Sequence, residues 1–246
     1  MPTPRNRSPK PGQIGNRLLE RMPEEEFTAL APLLVPTTVK LKQVLVRPGE
    51  PIHEVFFPTT AVISALVDME DSSAVETGIT GAEGMVGLYT ALGLESDPQR
   101  SICQVPGKGY KLSTREFRAA LERSRPLHSL ILRYAAVVLR QTGQGMACNT
   151  LHPVPERLSR WLLMSHDRVG RDEFPMTQEF MGDLLGVRRP TVTIASRTLQ
   201  AAGLIAVRRG YIRIVDRSGL EGAACECYAI IRGLYEQIFP EPKKGS

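Results

Sequence analysis

The stretch TQEFMGDLLGVRRPTVTIASRTLQAAGLIAVRRGYIRIV, residues 177–215, reads as two short helices joined by a tight turn and followed by a basic hairpin. Thr177 is suited to cap the first helix, with Glu179 in the first turn, where a negative charge complements the helix dipole. Gly186 stops that helix. After the turn VRR, Pro190 fits the first turn of a second helix, where its missing N–H costs little. Val192, Ala195, Leu199 and Ala202 then recur at helical spacing as one apolar stripe. The opposite side holds Arg189, Pro190, Thr193, Ile194, Arg197 and Gln200, with no acid among them. Beyond Gly203, the segment LIAVRRGYIRIVD alternates like two strands around Arg209-Gly210. This is the pattern of a winged helix-turn-helix, whose second helix lies in the major groove of DNA. The competing reading is an amphipathic helix pair with a solvated basic face.

Charge agrees with the first reading. Between Pro155 and Arg217 stand 11 Arg and no Lys against 7 acids, within a chain of 246 residues and net charge +5. The whole-chain pI of about 9.2 is compatible with a nucleic-acid partner without requiring one. No segment approaches the ~18 consecutive apolar residues of a membrane span, and the N-terminus lacks the apolar core of a signal peptide. The expectation is a cytoplasmic protein. Cys103, Cys148, Cys225 and Cys227 are too few and too irregular for a disulfide framework and read as reduced thiols.

Working outward, HPVPER at 152–157 makes a hinge, and Leu158, Trp161, Leu162 and Ser165 form a support helix behind the reading helices. Before the hinge, a helix spans roughly Pro126 to Asn149. Leu127, Ile131, Tyr134, Val138, Gln141, Gly145 and Cys148 alternate there by four and three, the seam of a two-stranded coiled coil. Packing of that face against the rest of the chain is the alternative. From Val39 to about Leu112, short apolar runs alternate with turns at Pro48-Gly49, Pro58, Asp71-Ser72, Gly81, Gly84 and Pro106-Gly107. That spacing predicts a small jelly roll, a double-stranded β-helix, with an interior able to hold a ligand. Two short helices broken near Pro23 precede it, and residues 1–13 read as a disordered basic, proline-rich arm. Ser218 is placed to cap a last helix carrying Leu220, Cys227, Ile231, Leu234 and Ile238 on one face. The organisation expected is therefore α+β: an arm (1–13), an effector roll (14–125), a dimerisation helix with hinge (126–152), a winged helix (153–217), and a C-terminal helix and tail (218–246).

Taken in that order, these parts resemble the Crp/Fnr family of bacterial transcription regulators over roughly residues 15–215. TQEF, LLGVRRPTV, EGMVGL and QRS are the motifs that carry the likeness. The resemblance implies a homodimer that binds a pseudo-palindromic operator in double-stranded DNA and engages RNA polymerase. Arg189 matches the family arginine that reads guanine, and Thr177 and Thr191 match phosphate-holding positions. With Gln178, Arg188, Thr193, Ile194, Arg197, Arg208 and Arg209 they make the expected DNA-binding set. Pro190 and Ile194 depart from the family pattern, so the half-site should differ from that of the best-known members. In the roll, Gly87 and the pair Arg100-Ser101 resemble the segment that holds a cyclic phosphate, and Thr142 falls where the long helix meets the base. Leu88 replaces the acid expected to hold the ribose hydroxyl. The implied effector is a cyclic nucleotide or another small anion, or none.

Other chemistries find less support. A cupin-type metalloenzyme needs several histidines and a carboxylate converging in the roll, and only His53 falls there. No nucleophile elbow, phosphate-cradling loop or HExxH pattern is present, so no enzymatic activity is expected; a dimeric adaptor that never touches DNA is a third possibility. No metal site is expected either. Cys225 and Cys227, two apart on a helix, would lie about 200° apart around its axis and face opposite ways.

Overall fold

The structure, a computed structural model, describes residues 14–71 and 73–239. The expected arm at 1–13 lies outside the described residues, as does the tail beyond 239.

Helices α1 (Arg17–Glu20) and α2 (Glu24–Leu30) open the described chain and flank Pro23. Asn16 ties them to the roll: its Oδ1 accepts from Leu19 N at 3.0 Å, while Nδ2 donates to Pro58 O at 2.7 Å and Gly84 O at 2.9 Å. One side chain thus caps a helix and satisfies two buried carbonyls. The roll follows as β1 (Val35–Val39), β2 (Val44–Val46), β3 (Glu54–Pro58), β4 (Val62–Asp68), β5 (Ala74–Thr80), β6 (Arg100–Val105) and β7 (Gly107–Ser113). They form two antiparallel sheets, ordered β1-β7-β3 and β2-β6-β4-β5. Inward residues of both sheets pack as a sandwich, closed at one end where Phe57 meets Phe117 edge to face with centroids 6.1 Å apart.

Helix α3 (Thr114–Arg123) leads into α4 (Arg125–Leu151), capped by Ser124 with Pro126 in its first turn. At 1.5 Å per residue α4 is about 40 Å long. The seam expected on α4 is corrected here. Leu127, Ile131, Tyr134 and Gln141 are buried within the chain itself, and Val138 and Gly145 are partly covered. Tyr134 lies so close over Gly84 that a Cβ on that glycine would sit 2.0 Å from its Oη, and the hydroxyl accepts from Met85 N at 3.2 Å. Gln141 Oε1 accepts from Tyr235 Oη at 3.0 Å. The heptad read from sequence is the face that α4 turns to its own roll and C-terminal helix. A second heptad is exposed instead: Leu132, Ala136, Leu139, Gly143, Met146 and Thr150, with Leu139 69% and Met146 70% exposed.

The chain turns sharply at His152 and Pro153 into α5 (Val154–Val169). Strand β8 (Glu173–Pro175), helices α6 (Gln178–Leu185) and α7 (Arg189–Ala201), and strands β9 (Ile205–Arg208) and β10 (Tyr211–Ile214) complete a compact unit, its sheet ordered β8-β10-β9. The last segment is two helices rather than one. Asp216, not Ser218, caps α8 (Arg217–Gly222) by accepting from Gly219 N at 2.9 Å, and α9 (Cys227–Ile238) starts afresh after a break. Asp216 prevails because a carboxylate in an extended residue just before the turn accepts the free N–H groups better than a residue already inside it. Helix α9 packs on α4 and α5.

Candidate nucleic-acid interface and effector cavity

Thr177 caps α6 as expected, its Oγ1 accepting from Phe180 N at 3.2 Å. Gly186 ends that helix at φ 61°, a left-handed conformation glycine adopts without strain. The next helix begins at Arg189 with Pro190 in its first turn. Val192, Ala195 and Leu199 are buried against α5 and α6, which fixes the rotation of α7. The opposite face then projects Arg188, Arg189, Thr191, Ile194 and Arg197 into solvent, Ile194 being 66% exposed. Two predicted contacts are engaged internally: Thr193 Oγ1 donates to Gln178 Oε1 at 3.1 Å, cross-linking α6 and α7.

The hairpin β9–β10 turns at Arg209 and Gly210, both with positive φ (44° and 82°), the combination that matches the twist of a two-residue hairpin. Met176 N donates to Gly210 O at 2.6 Å, which holds the tip beside the start of α6. Arg208, Arg209 and Arg213 are exposed there. The result is an exposed surface of guanidinium groups and hydroxyls, suited to phosphates at its edges and to base edges along α7.

This unit is docked on the roll through contacts absent from any motif. Trp161 Nε1 donates to Glu76 Oε1 at 2.8 Å, while Glu76 Oε2 is buried without a partner. Burial pushes the Glu76 carboxyl up to about 7. Arg168 Nε pairs with Glu83 Oε1 at 2.7 Å, the two side chains 7% and 10% exposed. A relay of Ser64, Gln104 and Ser165 at 2.7 and 3.1 Å runs from β4 through β6 to α5. Gly186 also abuts Val75, so closely that a Cβ would lie 2.9 Å from Cγ2.

Between the roll and α4 lies a cavity of about 170 Å³. Gly87, Leu88, Ser101 and Thr142 line it, as expected, together with Tyr134 and Asp97. Gly87 has φ 89° and leads into a short 3-10 turn, Leu88–Leu92. Arg100 does not reach the cavity. Consecutive residues of a strand face opposite ways, so Arg100 and Ser101 on β6 cannot both point inward. Arg100 instead makes a bidentate pair with Asp68, Nε to Oδ2 at 2.8 Å and Nη2 to Oδ1 at 2.6 Å. Among the described residues the lining holds no cation, and its one carboxyl, Asp97, is pushed up by burial.

The expected opposition of Cys225 and Cys227 is also corrected. Cys225 precedes α9 rather than lying on it, so helical spacing does not apply. Both thiols are buried and turn toward Cys148 and His152 at the end of α4.

Residues 156–223 match the model of the Crp-like helix-turn-helix domain. Among solved structures, FixK2 of Bradyrhizobium japonicum is similar at 16% identity and TM-score 0.65, the match covering 78% of this chain and 98% of that one. A CRP-family transcriptional regulator of Thermus thermophilus matches at 19% identity and TM-score 0.62, over 78% and 99%. The c-di-GMP-responsive global regulator CLP of Xanthomonas campestris matches at 18% identity and TM-score 0.59, over 78% and 97%. At these identities the likeness is one of fold. A comparison with curated proteins finds no match. The chain thus has the fold of these regulators, an antiparallel β-roll joined by a long helix to a Crp-like helix-turn-helix domain. No helix among the described residues is long and apolar enough to cross a membrane.

Proposed function

We propose that this Crp/Fnr-type chain is a sequence-specific, DNA-binding transcription regulator acting as a homodimer on a pseudo-palindromic operator. The observation that carries the reading is the exposed, acid-free face of α7 with the arginine hairpin beside it, inside a matched Crp-like domain. Arg189, at the head of α7, is the proposed guanine reader. Thr177, Thr191, Arg188, Arg208 and Arg209 are proposed phosphate contacts, and Ile194 is suited to a thymine methyl. Gln178 and Thr193 orient the reading face, and Arg197 extends it. Contact with RNA polymerase belongs to the same reading.

The proposed dimer forms through the exposed heptad Leu132, Ala136, Leu139, Gly143 and Met146, with a second copy of the chain as its occupant. Small residues at two of these positions allow close helix approach, and an apolar stripe along a helix of about 40 Å is unfavourable in water. Leu139 also stands at the mouth of the roll cavity. A ligand there would therefore touch both the roll and the seam, and so bias the hinge between α4 and α5. The cavity's lack of a cation and its Asp97 favour a small neutral or cationic ligand over a cyclic phosphate.

The test is selection of duplexes from a randomised pool, followed by affinity measured against salt. Enrichment of an inverted repeat, with affinity falling steeply as salt rises, is expected. Absence of salt-dependent duplex binding would leave the adaptor reading in its place.

A further inference from the structure

Cys148 and His152 lie one helical turn apart at the C-terminus of α4, and Cys225 and Cys227 flank the start of α9. Their ligand atoms, three Sγ and an imidazole nitrogen, all fall within 4.8 Å of one another. Cys148 Sγ is 3.5 Å from Cys225 Sγ, and Cys227 Sγ is 3.6 Å from His152 Nδ1. A tetrahedral zinc ion with Zn–S of about 2.3 Å and Zn–N of about 2.05 Å requires S···S edges of about 3.8 Å and S···N edges of about 3.6 Å. The two close pairs are thus nearly at those edges. The donor set, three soft thiolates and one imidazole, is that of a closed structural zinc site rather than of a magnesium, calcium or open catalytic site.

The surroundings supply what such a site needs. His152 turns its other nitrogen, Nε2, toward Glu226 Oε2 at 3.3 Å, the carboxylate–histidine arrangement that fixes the tautomer with Nδ1 free to ligate. Gln144 Nε2 donates to Cys227 Sγ at 3.1 Å, a hydrogen bond that favours the thiolate. Arg157 and Arg160 on α5 are buried; the partners of Arg157 are uncharged, Asn149 Oδ1 at 3.2 Å and the Leu185 carbonyl, and among the described residues Arg160 Nε has no hydrogen-bond partner. Both sit within electrostatic reach of the thiols. Three thiolates and a divalent ion carry a net charge of −1, and two buried guanidinium groups beside that anion offset it.

We infer that Cys148, His152, Cys225 and Cys227 bind one Zn²⁺, which clamps the start of α9 to the end of α4 at the hinge leading into the helix-turn-helix domain. Binding replaces three thiol protons, released to solvent, and leaves the imidazole neutral; no electron transfer is involved. The clamp ties the C-terminal helix to the residue, His152, at which the chain turns into α5. The ion is therefore a determinant of the angle between α4 and the domain that α5 begins.

The test uses the full chain, purified in reductant without a metal-affinity column. Elemental analysis is expected to find about one zinc per chain, and replacement by Co²⁺ to give the thiolate charge-transfer and strong visible bands of a tetrahedral sulfur-rich site. Cys227→Ser should abolish the stoichiometric ion, while Cys103→Ser, in the roll and remote from the cluster, should keep it. Glu226→Gln should weaken affinity by roughly 10-fold, the low end for an outer-shell partner, because that carboxylate is largely exposed. Since serine at a buried position can impair folding, the Co²⁺ spectrum of the unaltered chain stands as an independent readout. A reduced, folded chain that takes up neither ion overturns the assignment. So does equal uptake by the folded Cys227→Ser chain, or recovery of a Cys148–Cys225 disulfide from the native protein.

Discussion

At the scale of single residues, Arg189 and Glu76 make opposite use of charge. Arg189 is held exposed at the head of α7 by the burial of Val192 and Ala195 behind it, so removing its side chain leaves the fold untouched. Arg189→Ala is expected to lose about 1–3 kcal/mol of specific binding and to relax preference at one base position, read by fluorescence anisotropy with selected and scrambled duplexes. Unchanged affinity for the selected duplex would remove Arg189 from the reading set. Glu76 is charged only at a cost. Burial raises its folded value to about 7, against 4.5 for an exposed glutamate, with Ser64, Trp161, Arg160 and Arg168 opposing only in part. Between those values the folded chain holds a proton that the unfolded chain has lost, so stability falls as pH rises. The contribution is complete below about 4.5 and gone above about 7. Glu76→Gln is expected to flatten the pH dependence of thermal unfolding across that window; a slope equal to that of the parent would show that Glu76 does not titrate there.

At the scale of elements, α4 shows how a sequence pattern can be right about a helix and wrong about its neighbour. The four-three alternation from Leu127 to Cys148 marks an apolar face, and any apolar face suits a coiled coil and an intramolecular core equally. Only the positions of the roll and of α9 decide between them, and neither is encoded locally. The second heptad was obscured because Ala136, Gly143 and Thr150 dilute its apolar signal. The distinction is measurable by one substitution on each face. Leu139→Glu, on the exposed stripe, is expected to dissociate the proposed dimer while leaving the circular dichroism of the chain unchanged, with mass read by light scattering. Ile131→Ala, on the buried face, is expected to destabilise the chain by about 2–5 kcal/mol in urea unfolding, without a charge placed in any interface. If Ile131→Ala were the variant that dissociates without destabilising, the two faces would have to be exchanged.

At the scale of the whole molecule, what was legible in the sequence was whatever had a local period or a local stop. The caps at Thr177 and Gly186, the hairpin at Arg209-Gly210, the hinge at Pro153 and the strand spacing of the roll all signal themselves within a few residues. The partners joined across the chain do not. Arg100 matched a motif but spends its guanidinium on Asp68, and Cys148 meets Cys225 only because α9 folds back along α4. One contact that joins the two halves, Arg168 with Glu83, is of the same kind, 85 residues apart in sequence. Its position gives it a role that neither domain has alone: any signal passing from the roll to α7 must alter or preserve this docked face. Because both side chains are nearly fully covered, removing one strands the other's charge in the interface. Arg168→Ala is therefore expected to cost about 3–5 kcal/mol, far above the value of an exposed pair. Its structural effect should be larger than its size, since the residue lies where the roll and the helix-turn-helix domain meet in one continuous apolar core. The helix-turn-helix domain should loosen from the roll before the rest of the shared core melts. Urea unfolding should become less cooperative, and small-angle scattering in dilute buffer should give a larger radius of gyration than that of the parent. Replacing both residues together, Glu83→Leu with Arg168→Met, removes the stranded charge and should recover much of the lost stability. A single variant that melts as one sharp transition with the parent's dimensions would mean that the docked face is held by Trp161 and its apolar neighbours instead, with the ion pair incidental to it.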